Sequence, residues 1–253
     1  MSGHSKWANI KHKKGAADKK RGRIFSRITK EIIIAVKQGG SDQTGNTTLR
    51  SALVAAKAAN MPNTNIDRAI KKGLGDSDTA NYEEILYEGY GHEGVAILVE
   101  SLTDNRNRTG GEVRLTFDRN GGNMAGSGAV TWMFHRKSHF IVTGEHADEE
   151  NLMELLMEAD AEVEDIDVDG ETAEIWGAPD AFLDISTALE EAGITPEEAN
   201  LGRKPENTVK ITDIGKAEKL LRLIEKFEDL EDVQAVYANF DFSDEVLEKL
   251  AQD

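Results

Sequence analysis

A chain of 253 residues with 39% hydrophobic residues and four prolines can bury one to three modest cores, so it is not disordered throughout. The absence of cysteine excludes disulfides, zinc–thiolate sites and thiol nucleophiles, and it fits the reducing cytoplasm, where we expect the protein to reside. The most apolar short run, Ile32 to Val36, is far too short to cross a bilayer, so no membrane partner is expected.

The formal charge of −17 hides a strong asymmetry along the chain. Residues 1–75 contain 16 Lys and Arg against 4 Asp and Glu, a net charge of +12, whereas the remainder carries −29. Local fields decide binding, and clustered Lys and Arg are typical of proteins that bind phosphate backbones. A basic start is also found in mitochondrial transit peptides, but here Lys dominates and no cleavable spacer follows.

Residues 19–38 predict an amphipathic helix that ends at Gly39 and Gly40. At 100° per residue, its apolar positions fall in one arc and its cations on the opposite side. A second helix is predicted over residues 46–60, and a third runs from a Thr64 cap to Gly73. We therefore expect a basic helical domain over residues 1–75, preceded by an extended N-terminal arm. The apolar arc contains Ile24, Phe25, Ile28, Ile32, Ala35 and Val36.

Beyond a polar linker, residues 75–81, the pattern alternates between strands and helices. Residues 138–205 have the order βαββαβ, which is that of a ferredoxin-like sandwich. The flanking pieces each look incomplete; they include strands near residues 130–134 and 233–240. The expected fold class is therefore α+β. A helical N-terminal domain is followed by a central α+β domain (82–137 plus 206–242), into which a ferredoxin-like α+β domain (138–205) is inserted.

Four sequence words resemble the YebC family, which includes the mitochondrial translational activator of cytochrome c oxidase subunit I. They are GHSKWANIKHKKGAADKKRGRIFSRITKEI near the amino terminus, then YEGYGHEGVA, DNRNRT and LEDVQAVYANF. The resemblance spans nearly the whole chain and implies a helical domain followed by two α+β domains. It also implies a transcriptional regulator that binds DNA, although other family members act in translation on the ribosome. The family words GGNLG and GSVAWMF stand here as GGNMA and GAVTWMF.

The first forty residues are the main candidate site, because only Asp18 and Glu31 interrupt eleven Lys and Arg. So much like charge costs folding energy unless an anion compensates it. Trp7 lies among these lysines and either stacks on a base or ribose or folds back onto the helical domain. The candidate nucleic-acid contacts are Lys6, Trp7, Lys11, Lys13, Lys14, Lys19, Lys20, Arg21, Arg23, Arg27 and Lys30.

A second candidate site lies at the start of the helix predicted over residues 105–120. Arg106 and Arg108 could hold a phosphate there together with the free amides of the helix N-terminus. The family resemblance favours this interpretation. In the alternative, Asp104 or Asn105 caps the helix and the arginines pair with acidic side chains.

The segments that resemble known catalytic or metal-binding motifs each lack a required residue. Residues 40–47 have the glycine spacing of a phosphate-binding loop, but Asn46 replaces the required lysine. His135 and His139 lack the neighbouring glutamate of a zinc helix. We therefore expect no catalytic residue, no metal and no cofactor, and we expect that the protein is not an enzyme.

These observations predict a regulator of gene expression that binds DNA through its basic N-terminal domain. The alternative is a ribosome-associated translation factor that binds ribosomal RNA. A long basic arm with one Trp, attached to a body whose charge of −29 would be repelled by most of a phosphate surface, suits insertion of the basic N-terminal domain into a folded RNA. The acidic domains are expected to offer surfaces for orientation or for a protein partner. A competing class is a protein-interaction module whose basic head meets acidic proteins.

Overall fold

A computed structural model describes residues 17–43, 45–75 and 82–252, with side chains described between residues 22 and 251 of those ranges. The predicted fold class is confirmed, since a helical region precedes sheet-containing domains, one of them ferredoxin-like. Among the described residues, one compact unit comprises 17–75 with 136–202, and the other comprises 82–135 with 203–252.

Helices α1 (Ala17–Gly39), α2 (Thr47–Ala58) and α3 (Asn63–Leu74) form the start of the first unit. The predicted apolar arc of α1 packs against the other two helices, with Ile28 and Ile32 buried and Phe25 half-buried. A methyl group added at Gly73 would lie 2.7 Å from Cβ of Val36, so glycine is required where α3 crosses α1.

The predicted Thr64 cap is wrong. The residue preceding α3 is Pro62, whose φ of −59° already suits helix entry, and no side chain caps the helix. Its carbonyl accepts a hydrogen bond from the amide of Asn65 at 2.8 Å. Asn63 and Thr64 therefore lie exposed in the first turn and are not consumed by capping.

From residue 82 onward, strands and helices alternate. The first group is β1 (Glu83–Tyr90), β2 (Ala96–Thr103), α4 (Arg106–Arg119) and β3 (Asn123–Met124). The second group is β4 (Phe134–Thr143), α5 (Glu149–Glu158), β5 (Asp165–Asp169), β6 (Thr172–Gly177), α6 (Phe182–Glu191) and β7 (Glu198–Pro205). The last group is β8 (Val209–Ile211), α7 (Ile214–Glu228), β9 (Val233–Ala238), β10 (Phe240–Phe242) and α8 (Asp244–Gln252). The sequence pattern predicted neither β3 nor α8.

The second unit contains a four-stranded sheet in the order β3-β1-β2-β9, beside a parallel pair formed by β8 and β10. Strand β2 pairs antiparallel with both β1 and β9, so the two flanks of the chain complete one sheet. Helices α4 and α7 cover one face, where the rings of Phe117 and Phe227 meet edge to face at 4.5 Å. Gly89 on β1 admits Phe117, because an added Cβ would lie 2.6 Å from that ring.

The strand predicted near residues 130–134 is wrong. Residues 131–133 form a single 3₁₀ turn, and β4 begins only at Phe134. Val130, Met133 and Phe134 pack with Ala96 and Leu98 in a small core on the other face of the same sheet. These residues are apolar because their loop packs onto the sheet. In the sequence, the resulting spacing of apolar residues resembles the alternation of a strand.

The ferredoxin-like sheet has the order β5-β6-β4-β7, with β6 antiparallel to both β5 and β4. In its core the rings of Phe140 and Phe182 stack at 4.9 Å. Ala58 of α2 is buried in this same core, and Val54 packs against it. The helical region and the ferredoxin-like sheet thus share apolar contacts, while the exact boundaries 138–205 stay a prediction. Among the described helices, none is long and apolar enough to cross a membrane.

The buried side chain of Asn46 is expected to be a strong stabilising element of the helical region. Its Oδ1 accepts from the amide of Leu49 at 3.0 Å, and its Nδ2 donates to the carbonyls of Ala35 and Gly40 at 2.7 and 2.8 Å. We expect Asn46→Ala to lower the free energy of unfolding by about 2–3 kcal/mol, measured by urea denaturation. Asp148→Ala removes a solvent-exposed cap from α5 and is the matched control, with an expected loss of about 1 kcal/mol. Equal losses in the two variants would contradict the role of the two extra bonds.

Candidate nucleic-acid interface

The basic side of α1 is the candidate interface predicted from the charge pattern. Arg23, Arg27 and Lys30 follow one another at helical spacing, on the side opposite the buried Ile28 and Ile32. All three are half-buried, and each already makes at least one interaction in the structure. An incoming phosphate would therefore meet three cations on one side of the helix, each of which already makes an interaction within the protein.

A buried residue interrupts this basic side. Ile34 follows Arg27 and Lys30 on the same side and is only 7% exposed. The adjacent Ile33 is also buried, so burial in α1 extends beyond the predicted apolar arc. The exposed Lys37 in the last turn of α1 is therefore separated from Lys30 by a buried stretch.

Part of the predicted site falls where no side chain is described. The residues Lys6, Trp7, Lys11, Lys13 and Lys14 lie outside the described residues. Lys19, Lys20 and Arg21 lie within the backbone of α1, and their side chains are not among those described. Their roles stay predictions.

The start of α4 is occupied by protein groups. Asn105 caps the helix, since its Oδ1 accepts from the amide of Arg108 at 3.1 Å. The guanidinium of Arg108 pairs with Asp232 at 2.6 Å and with Asp104 at 3.0 Å. Arg106 is 70% exposed, and its nearest carboxylate, on Glu83, is 3.9 Å away. A phosphate could thus approach Arg106 openly, but it would have to compete with two carboxylates for Arg108.

Asp232 is the centre of a buried polar cluster that the sequence reasoning missed. This residue is 3% exposed, and its Oδ2 accepts from the hydroxyls of Thr103 and Thr109 at 3.1 and 2.7 Å, in addition to Arg108. The hydrogen bond and the charge of Asp232 raise the pKa of Arg108 above its ordinary value. The signal available beforehand was that DNRNRT and LEDV both belong to the words shared with the YebC family.

A second buried carboxylate, also missed, organises the loop before β4. Glu88 is 3% exposed, and it accepts from the amides of Gly128, Val130 and Thr131 at 2.6, 2.7 and 2.8 Å. Burial alone would raise the pKa of Glu88, but hydrogen bonds from the side chain of Thr131 and from these three amides together lower it below its ordinary value of 4.5. A carboxylate here takes the place that an external anion could occupy in a ring of backbone amides.

Asn239 connects β2 with the same loop. Its Oδ1 accepts from the amide of Ala96 at 2.7 Å, and its Nδ2 lies 3.8 Å from the sulfur of Met133. Asn239 is 3% exposed and belongs to the word LEDVQAVYANF. This family word thus supplies two buried polar anchors, Asp232 and Asn239. Among the described residues, no group of three or more His, Asp or Glu side chains is placed to hold a metal ion.

Comparisons with known proteins cover both units. A family model for the "TACO1/YebC protein N-terminal domain" matches residues 5–76, and one for the "TACO1/YebC second and third domain" matches residues 82–240. A probable transcriptional regulatory protein of Geobacter sulfurreducens is 52% identical over 250 residues, covering 99% of this chain and 100% of that protein. One from Syntrophus aciditrophicus is 50% identical over 252 residues, covering 99% and 100%. The crystal structure of a conserved hypothetical protein from Aquifex aeolicus, 42% identical, superimposes with a TM-score of 0.81 and covers 91% of this chain and 94% of that one.

The two arginines at the start of α4 are expected to differ in their structural importance. Arg108→Gln leaves the buried carboxylate of Asp232 without its cation, so the midpoint of thermal unfolding should fall clearly. Arg106→Gln removes a long, exposed ion pair and should leave that midpoint almost unchanged. Differential scanning calorimetry of the two full-length variants measures this, and similar midpoints would mean that the Asp232 pair is not a structural element.

Stability should depend on pH through Glu88. We expect Glu88→Gln to cost about 2 kcal/mol of unfolding free energy at neutral pH, because the amide cannot accept from all of these donors. The folded-state pKa lies below the ordinary 4.5, so the contribution of Glu88 is complete above 4.5 and is lost as pH falls through the lower folded value. Urea denaturation of both proteins across this range should show the difference shrinking. A difference independent of pH, or an equal loss in the exposed control Glu84→Gln, would contradict this assignment.

Proposed function

The chain belongs to the TACO1/YebC family, and from this premise we propose that it regulates transcription by binding DNA through its basic N-terminal region. The proposal includes a cytoplasmic location and no catalytic activity. Full-length relatives named probable transcriptional regulatory proteins support the regulatory role. The observation that carries the binding mode is the cationic side of α1 formed by Arg23, Arg27 and Lys30, opposite an apolar core.

Phosphate contacts position a protein on nucleic acid without reading its sequence. The side chains of Arg23, Arg27 and Lys30 lie on one side of α1, where they could contact the phosphate backbone. The arm that precedes α1 adds Lys6, Lys11, Lys13 and Lys14 in the sequence. On α3, the exposed Asn63 and Thr64 and the exposed Arg68 are available to contact base edges, because no side-chain cap uses them.

Charge favours the head over the remainder of the molecule as the binding region. Residues 1–75 carry +12, whereas the rest carries −29. Repulsion of the acidic remainder should keep most of its surface away from the phosphates. The protein would therefore contact only a short stretch of nucleic acid, and its affinity would depend strongly on salt concentration.

Binding should weaken steeply with salt. Five to six phosphate contacts give a slope of log affinity against log salt of about −5 on duplex DNA and nearer −4 on a single strand. Replacing Arg23, Arg27 and Lys30 by Gln should reduce the size of this slope by about 3. The measurement is fluorescence anisotropy of the full chain with a labelled duplex at several salt concentrations.

A matched control changes three cations elsewhere by the same total charge. Lys219, Arg222 and Lys226 lie exposed on α7 in the second unit, and their Gln variants should leave the slope unchanged. A flat salt response of the unmodified protein, or equal effects of the two triple variants, would overturn the proposed interface. Unfolding midpoints of both variants show whether the helical region stays folded.

Ribosomal RNA is the alternative polymer, and crosslinking in cells followed by sequencing distinguishes the two. Recovery of discrete promoter DNA supports transcriptional control. Recovery of ribosomal RNA that is lost when Lys13, Lys14, Lys19 and Lys20 are changed to Glu would replace it by translational control.

A further inference from the structure

The outward side of α5 carries two exposed methionines. Met157 is 71% exposed and Met153 is 36% exposed, although both side chains are large and apolar. At 100° per residue they lie side by side along α5, next to Leu152 and Leu156, which are buried in the ferredoxin-like core. The methionines therefore extend the apolar surface of this core to the outside of the domain.

A row of carboxylates borders the methionines on their other side. Glu150, Glu154 and Glu158 follow one another at intervals of four residues, and all three are exposed. Together with Glu149 and the two methionines they line one surface groove. Like charges four residues apart on a helix repel each other, and Glu158 opposes the helix dipole, since the last turn of α5 contains no basic residue. A cationic partner would relieve both costs.

The domain itself supplies no lysine or arginine to balance this row. Residues 138–202 contain 20 Asp and Glu and no Lys or Arg, so α6 and β5, against which α5 packs, contain none. His146, in the turn before α5, lies 4.0 Å from Glu145, and Lys57 of α2 pairs with Glu190 of α6 at 3.5 Å. In the part of the chain that the structure describes, the glutamates of the groove make no ion pair.

This combination of groups determines the chemistry of an occupant. The carboxylates repel phosphate, and a purely apolar ligand would remove water from them without replacing it. Methionine is flexible and polarisable, so it adapts to the apolar side chains of a partner, and an amphipathic helix presents such side chains at helical spacing. The groove therefore suits a helix that carries apolar side chains beside lysines or arginines.

We propose that the outward side of α5 docks a basic amphipathic helix of a partner protein. The apolar side chains of the partner cover Met153 and Met157, and its lysines or arginines pair with Glu150, Glu154 and Glu158. This interaction does not depend on the proposed binding of DNA, because it uses a helix whose charge repels phosphate. It gives a position to the partner surface expected on the acidic domains.

The test uses the full chain and a synthetic amphipathic helix of leucine and lysine as the probe, titrated by isothermal calorimetry. The triple variant Glu150→Gln, Glu154→Gln and Glu158→Gln should bind the peptide about tenfold more weakly. A matched control makes the same change at three exposed glutamates of the same domain outside α5, and its affinity should change much less. These control residues are Glu162, Glu171 and Glu191.

The apolar part of the surface is tested separately. Met157→Gln should weaken peptide binding about tenfold, whereas Met157→Leu, which keeps an apolar side chain of similar volume, should retain most of the affinity. Because Met157 and the three glutamates are exposed, all variants should keep the unfolding midpoint of the unmodified protein, which calorimetric scans check.

Three results would overturn the proposal. Failure of the unmodified protein to bind the peptide removes the docking surface. Equal losses in the two triple variants mean that binding reflects the overall charge of the domain, and unchanged affinity in Met157→Gln means that the methionines take no part. Sedimentation equilibrium of the protein alone tests a different occupant: self-association that the α5 triple variant abolishes would identify a second copy of this chain in place of a partner protein.

Discussion

The junction that Asp232 makes between distant parts of the chain is the constraint on which the second unit depends. Its main-chain oxygen accepts from the amide of Leu102 at 2.7 Å, and its carboxylate accepts from Thr103, Thr109 and Arg108. One residue thereby sets the position of β9 against β2 and fixes the start of α4. Removing charge from water is costly, and the three donors that converge on the carboxylate offset that cost.

The loop before β4 lies on the sheet face opposite α4 and α7, over Ala96 and Leu98. Glu88 projects from β1 into this layer, where loop amides satisfy its carboxylate. Two buried carboxylates therefore stabilise the second unit. Asp232 connects its strands, and Glu88 holds its surface loop. Most acidic residues described in this unit are exposed to solvent, whereas these two are buried and hydrogen-bonded.

The spacing of apolar residues in the sequence predicted the features that depend on local structure. The apolar arc of α1, the glycine stop at its end and the βαββαβ order all follow from spacings within one element or between neighbours. The burial of Ile34 could not be predicted in this way, because it depends on tertiary contacts and not on spacing within the helix. The sequence suggests that Glu88 and Asp232 are surface acids, since nothing local shows that their hydrogen-bond donors come from residues 40 or more positions away. The interpretation of residues 130–134 as a strand failed because loop packing imitated alternation. Capping by Thr64 failed because Pro62 already sets the entry of α3.

The pairing of β2 with β9 has a consequence for the order in which the protein is assembled. Val99 lies opposite Val236, so the sheet of the second unit closes only after most of the chain has been synthesised. The four strands of the ferredoxin-like sheet are complete by residue 205, well before that point. Domains fold as units during synthesis, and contacts between distant residues form slowly. The ferredoxin-like sheet can thus fold first. Until β9 is available, β2 is paired only with β1, and its other edge, which includes the apolar residues Ile97 and Leu98, is unpaired. That edge is open to mispairing with other strands until β9 emerges.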